Sequence, residues 1–151
     1  MNDSDAVESC DPYRLIEALM QSGRYTEGQL DTALAPAGLS AAKWGVLRHL
    51  VDAGGQLPLG QLAARLACVK SNATQLVDRL ESERLVRRSP DPDDRRSIHA
   101  ELTGAGRNAY ESGLEIVRAF EGKLMEDYKP QERVLLRRLL ARLVGQENGA
   151  R

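Results

Sequence analysis

The sequence predicts a mainly α fold of the α+β class, with six helices and a single β-hairpin between the fourth and fifth. Three observations predict it. Apolar residues recur at helical spacing in stretches that Pro, Gly and Ser separate. The period drops to two only between residues 97 and 102. The composition is that of an ordinary folded chain, 151 residues with 42% hydrophobic and 28% charged side chains. A chain this long buries roughly 70% of its unfolded surface and needs no covalent staple.

The elements follow in order. Residues 11–35 carry Leu15, Ile16, Leu19 and Met20 on one helical face, with Asp11 placed to cap and Pro12 at the first helical position. Pro36, Ala37 and Gly38 end that helix, and Ser40 caps a second, in which Trp44, Leu47, Leu50 and Val51 share a face up to Gly54-Gly55. Pro58 opens a short third helix through Leu59, Leu62, Ala63 and Leu66. A fourth, over about Lys70 to Ser82, sets Ala73, Leu76, Val77 and Leu80 on one side. Two short helices joined tightly are a helix-turn-helix arrangement. Ile98, Ala100 and Leu102 then alternate with Ser97, His99 and Glu101, a half-buried strand whose partner is Leu85 to Ser89, with a Pro- and Asp-rich loop over 90–95. Thr103 caps a long fifth helix whose apolar residues run from Leu114 to Tyr128; Gly113 and Gly122 inside it each cost about 1 kcal/mol relative to Ala, so it bends or packs closely against something. Pro130 begins the last helix, where Leu136, Leu139, Leu140 and Leu143 form a stripe that Val134, Leu135 and Val144 widen, enough to face a second subunit.

Charge and cysteine content restrict the function classes. With 21 Lys+Arg against 22 Asp+Glu the net charge is −1, so a surface for nucleic acid must come from local clustering. Cys10 and Cys68 cannot form a disulfide framework, and with His49 and His99 as the only histidines there is no metal-ligand spacing. No metal or cofactor is expected. The acidic opening MNDSDAVESC and the arginines that break the apolar stretch 134–144 leave no leader and no membrane span, so the expected setting is a reducing cytoplasm.

Local clustering does occur. Residues 65–96 hold Arg65, Lys70, Arg79, Arg84, Arg87, Arg88, Arg95 and Arg96, partly offset by acids. The polar side of the fourth helix presents Lys70, Ser71, Asn72, Thr74, Gln75 and Arg79, short amides and hydroxyls that read base edges beside cations that hold phosphates. By itself this is also how the solvated face of any surface helix reads. The adjoining charged hairpin favours the DNA reading.

The stretch LAARLACVKSNATQLVDRLESERLVRRSPDPDDRRSIHAELTGAG, residues 62–106, resembles the winged helix-turn-helix core of the MarR family of bacterial transcriptional regulators. The specific part is TQLVDRLE, LVRR, PDPDDRRS and LTGAGR in that order, and LSAAKWGVLRHL and QERVLLRRLLARL are similar to the family's second and last helices. The resemblance implies an acidic tail (1–10), a dimerisation helix (11–38), a winged helix-turn-helix core (39–103), a linking helix and C-terminal dimerisation helix (104–145), and a tail (146–151). It implies a homodimeric regulator of double-stranded DNA, a repressor released by a small aromatic or phenolic ligand, on a pseudo-palindromic operator. Residues 70–79 would lie in the major groove; Arg96 would enter the minor groove, aimed by Asp94, with Arg95 near the phosphates. Three positions depart from the family pattern. Val69 stands where a capping Ser or Thr is common, Cys68 replaces a buried aliphatic residue, and Arg84 stands where Gly is usual, at a left-handed cost of about 1–2 kcal/mol unless the turn is rebuilt.

Other readings attach to single residues. Cys10 lies where some relatives carry a peroxide-sensing thiol, which makes a redox-sensing regulator the alternative; its acidic neighbours Asp3, Glu8 and Asp11 raise its pKa and favour an inert thiol. Tyr13, Trp44, His49 and Tyr110 are candidates for the pocket that receives aromatic acids in many relatives, although amphipathic helices place such residues in cores anyway. His99 is expected in solvent on the wing. An enzyme is not expected, because the acids scatter and the GAG at 104–106 lacks the spacing of a phosphate loop. A winged-helix interaction module without DNA remains the third class.

Overall fold

The structure is a computed structural model that describes residues 12–66, 70–91 and 97–145, and of these not the side chains of Pro12, Tyr13, Lys70 and Ser71. Its order is α1 (Pro12–Leu34) with a 3-10 turn (Ala35–Ala37), α2 (Ala41–Asp52), β1 (Gln56–Pro58), α3 (Leu59–Arg65), α4 (Lys70–Ser82), β2 (Val86–Pro90), β3 (Ile98–Leu102), α5 (Gly104–Leu124) and α6 (Pro130–Leu143). The expected caps that fall on described residues are in place. Ser40 Oγ accepts from the Lys43 N–H at 3.2 Å, and Thr103 Oγ1 accepts from the Gly106 N–H at 2.9 Å. At α6 the Glu132 carboxylate reaches back to the Lys129 N–H at 2.7 Å.

One strand was not legible. Gln56–Pro58 has no alternation, yet it pairs antiparallel with β3, Leu57 opposite Ala100, so the hairpin becomes a three-stranded sheet in the order β1-β3-β2. β2 pairs with the other edge of β3, Val86 opposite Leu102 and Pro90 opposite Ile98.

Two compact units divide the chain, residues 1–117 and 118–151. The first has one core, in which Leu34 of α1, Val46, Leu47 and Leu50 of α2, Leu57 of β1, Leu62 of α3, Val77 and Leu80 of α4, Val86 of β2 and Ala100 of β3 are all buried. Burying a Leu or Val side chain stabilises by roughly 1.5–3 kcal/mol, so each helix of the winged module, β1 and β2 is held by at least one such contact, while β3 contributes the small Ala100. The second unit holds the end of α5 and α6. On α6 Val134, Leu135, Leu136, Leu139, Leu140 and Leu143 are exposed.

Three expectations about single residues need correction. Tyr128 lies beyond the end of α5, exposed, because the helix stops at Leu124. His99 is half-buried, its Nε2 3.6 Å from Asp91 Oδ2, because the Asp91 N–H donates to the Ser97 carbonyl and so keeps Asp91 beside the strand. Ile98, expected inward, is 46% exposed at the tip end of the sheet opposite Pro90.

Candidate nucleic-acid interface

Helix α4 owes its orientation to its apolar face. Ala73, Val77 and Leu80, at i, i+4 and i+7, are buried, and this turns Asn72, Gln75 and Arg79 to solvent along the opposite side. Thr74 is half-buried at the edge between the two faces. Lys70 and Ser71 occupy the first described positions of the helix; Val69 and Cys68 lie outside the described residues. The polar residues read from the sequence thus include three exposed together on one line.

The end of α4 sets how the wing leaves it. The Arg84 N–H donates to the Glu81 carbonyl at 2.9 Å and the Leu85 N–H to the Leu80 carbonyl at 2.9 Å, the paired bonds of a Schellman end with Arg84 at the left-handed position, φ 59°. The turn has kept its geometry and carries the strain. Gly106 makes the next crossing possible: a Cβ there would lie 2.0 Å from the Leu85 carbonyl oxygen.

Not all the cations of residues 65–96 face outward for phosphates. Arg87 donates two hydrogen bonds to Glu101, at 2.6 and 2.9 Å across the strands, and these hold the Glu101 carboxyl below its ordinary pKa and raise that of Arg87. Arg88 is committed to Asp78 and Glu81. Lys43 of α2 pairs with Glu83 beyond the end of α4 at 2.5 Å, and the Asp31 carboxylate of α1 accepts from the Ala41 N–H at 2.6 Å. None of these five pairings was read from the sequence, because each depends on elements meeting across the fold. The wing residues Asp94, Arg95 and Arg96 lie outside the described residues, as does Cys10.

The four aromatic and imidazole candidates separate. Trp44 of α2 and Tyr110 of α5 come together, rings stacked at 5.9 Å and 11°, with the indole N–H donating to the Tyr110 carbonyl at 3.4 Å and the Arg48 guanidinium 5.9 Å over the indole. His49 is five residues on from Trp44, about 140° around the helix axis. It is half-buried, and its pKa is lowered by burial first and then by the charges of Arg48 and Arg65. The Tyr13 side chain is not described.

Comparison with known proteins agrees with this geometry. A model of the MarR family matches residues 37–97. The chain is 36% identical over 106 residues to the uncharacterized HTH-type transcriptional regulator YkoM of Bacillus subtilis, covering 67% of this chain and 68% of that protein. It is 30% identical over 118 residues to the transcriptional activatory protein BadR of Rhodopseudomonas palustris, covering 76% and 67%. Among solved structures, a mutant of E. coli MarR complexed with operator DNA superposes with a TM-score of 0.77 at 26% identity, over 90% of this chain and 95% of that one. Among the described residues no helix is long and apolar enough to cross a membrane. With a winged helix-turn-helix core built on these residues and relatives this similar over two thirds of their length, the chain belongs to the MarR family of transcriptional regulators.

Proposed function

We propose that this chain is a dimeric, sequence-specific regulator that binds double-stranded DNA through α4 in the major groove and the loop between β2 and β3 in the minor groove. The observation that carries the reading is the exposed line Asn72, Gln75 and Arg79, held out by the buried Ala73, Val77 and Leu80 and adjoining the wing. Asn and Gln offer paired donor and acceptor groups that match adenine, and Arg79 suits guanine or a phosphate. Lys70 and Ser71 at the helix start fit phosphate contacts. On the wing, Arg96 reads the minor groove, Asp94 aims it and Arg95 holds phosphate.

The exposed apolar faces of α1 and α6 support a two-fold dimer. Leu15, Ile16 and Met20 are exposed on α1, and Leu136, Leu139, Leu140 and Leu143 on α6, each a run of large apolar side chains on one helix of the kind an interface covers. Two copies then present two α4 helices to successive major grooves of a pseudo-palindrome, half-sites about 10 bp apart. The Trp44–Tyr110 stack with Arg48 above it supports a site for a small aromatic anion, whose binding releases the repressor from DNA.

Substitution on α4 tests the reading. Asn72→Ala and Gln75→Ala relax discrimination between operator and random DNA more than they lower random-sequence affinity, whereas Lys70→Ala weakens both alike and lowers the salt slope by about one ion. Equal effects of all three on both DNAs would remove α4 as the reader. Calorimetric titration of phenolic acids, with and without operator, tests the release: an effector binds the DNA-bound form more weakly by the factor by which it weakens DNA binding.

A further inference from the structure

Arg88 is a cation that the proposed DNA contacts do not use. It lies mid-strand in β2 and is half-buried. Its guanidinium donates to Asp78 Oδ1 at 2.6 Å, to Glu81 Oε2 at 2.8 Å and towards the Thr74 carbonyl at 3.4 Å, while its own backbone N–H donates to Glu81 Oε1 at 3.0 Å. Thr74, Asp78 and Glu81 stand at i, i+4 and i+7, so they form one edge of α4, next to the face that exposes Gln75. One guanidinium against two carboxylates presents no positive charge to a phosphate. It presents instead a rigid planar fork spanning two turns of helix from a neighbouring strand, which fixes an angle as well as a distance.

We propose that Arg88 is the positioning residue of base recognition, holding the Thr74–Asp78–Glu81 edge of α4 against β2 so that Asn72 and Gln75 meet base edges in register. This rests on the reading of α4 as the groove helix. The physical reason is tolerance. A hydrogen bond from a short amide to a base edge is gone beyond about 3.5 Å, so a tilt of α4 that moves Gln75 by about 1 Å abolishes it. A long, flexible lysine on a phosphate follows the same tilt at little cost. Loss of the brace therefore removes specificity and leaves non-specific affinity.

The test uses the full chain and two duplexes, one selected by the wild-type chain from a randomised pool and one scrambled. Arg88→Met removes the fork; the triple variant Arg88→Met, Asp78→Asn, Glu81→Gln removes it without leaving bare carboxylates, which also guards against misfolding of the single variant. Both lower affinity for the selected duplex by about tenfold, a usual size for coupling within one network, and for the scrambled duplex by no more than about twofold. Gln75→Ala added to either lowers selected-duplex affinity further by much less than it does in the wild type, because its contact is already lost. Equal losses on both duplexes, full additivity with Gln75→Ala, or recovery of wild-type binding in the triple variant each overturns the proposal. If Gln75→Ala alone discriminates and the Arg88 variants are silent, the brace fails and the groove reading stands; if Gln75→Ala is itself silent on the selected duplex, both fall.

Discussion

Two glycines of α5 that look alike in the sequence differ in what surrounds them. At Gly113 a Cβ would lie 2.4 Å from Trp44 Cδ1 and 3.0 Å from Leu39 Cδ1, so the missing side chain is the space the indole occupies. At Gly122 nothing lies within 4 Å. Gly113→Ala is therefore expected to cost about 1–3 kcal/mol through displacement of Trp44, while Gly122→Ala gains about 1 kcal/mol from helix propensity. Urea unfolding followed by circular dichroism separates the two signs. Of the bend and the close contact expected of these glycines, Gly113 makes the close contact, within one continuous helix. Arg84 is the second such residue. Because its φ of 59° carries the left-handed cost, Arg84→Gly is expected to raise stability, by about 1 kcal/mol or less once the greater freedom of unfolded glycine is subtracted. A loss on that substitution would mean that the Arg84 side chain makes a contact worth more than the strain.

At the scale of elements, α4 was legible, over about Lys70 to Ser82, because its apolar period, its length and the turn after it all agree. The strand β1 was not, since three residues carry no period and only pairing with β3 makes them a strand. Helix α2 carries a titration that periodicity does not reveal. Burial lowers the pKa of His49, and Arg48 and Arg65 lower it further, while Asp52 opposes them. The unfolded chain then binds a proton more readily than the folded one. As pH falls through the ordinary histidine value near 6.5 towards the lower folded value, the stability this neutral imidazole contributes is lost. The urea midpoint is expected to drop across that window, and His49→Gln is expected to flatten the drop; an equal slope in both chains would assign the dependence to other groups.

At the scale of the whole molecule, the exposed leucines of α6 are the surface that the proposed dimer would cover. Leu139 is 47% exposed and Leu143 64%, on a helix with Arg133, Arg137, Arg138 and Arg142 interspersed. In a dimer this stripe is covered by a second copy, and Leu139→Asp places a charge in that contact. Sedimentation is expected to shift the variant from dimer to monomer at micromolar concentration, with operator affinity falling because two half-sites are no longer engaged by one particle. A wild-type chain that sediments as a monomer would overturn the dimer, and with it the half-site spacing of about 10 bp.

The sequence by itself determined what depends on neighbours along the chain. Ser40 and Thr103 as caps, the helical periods, the β2–β3 hairpin and the polar outer line of α4 all follow from local chemistry and spacing. Tertiary structure decided what depends on residues distant in the chain. It placed Arg88 on α4 rather than in solvent, Trp44 on Tyr110 and against Gly113, and Gln56–Pro58 in the sheet. The reason is that a side chain's partner across the fold is set by the packing of whole elements. Arg87 and Arg88 are adjacent in the sequence and alike in charge, yet strand alternation turns one to Glu101 and the other to α4.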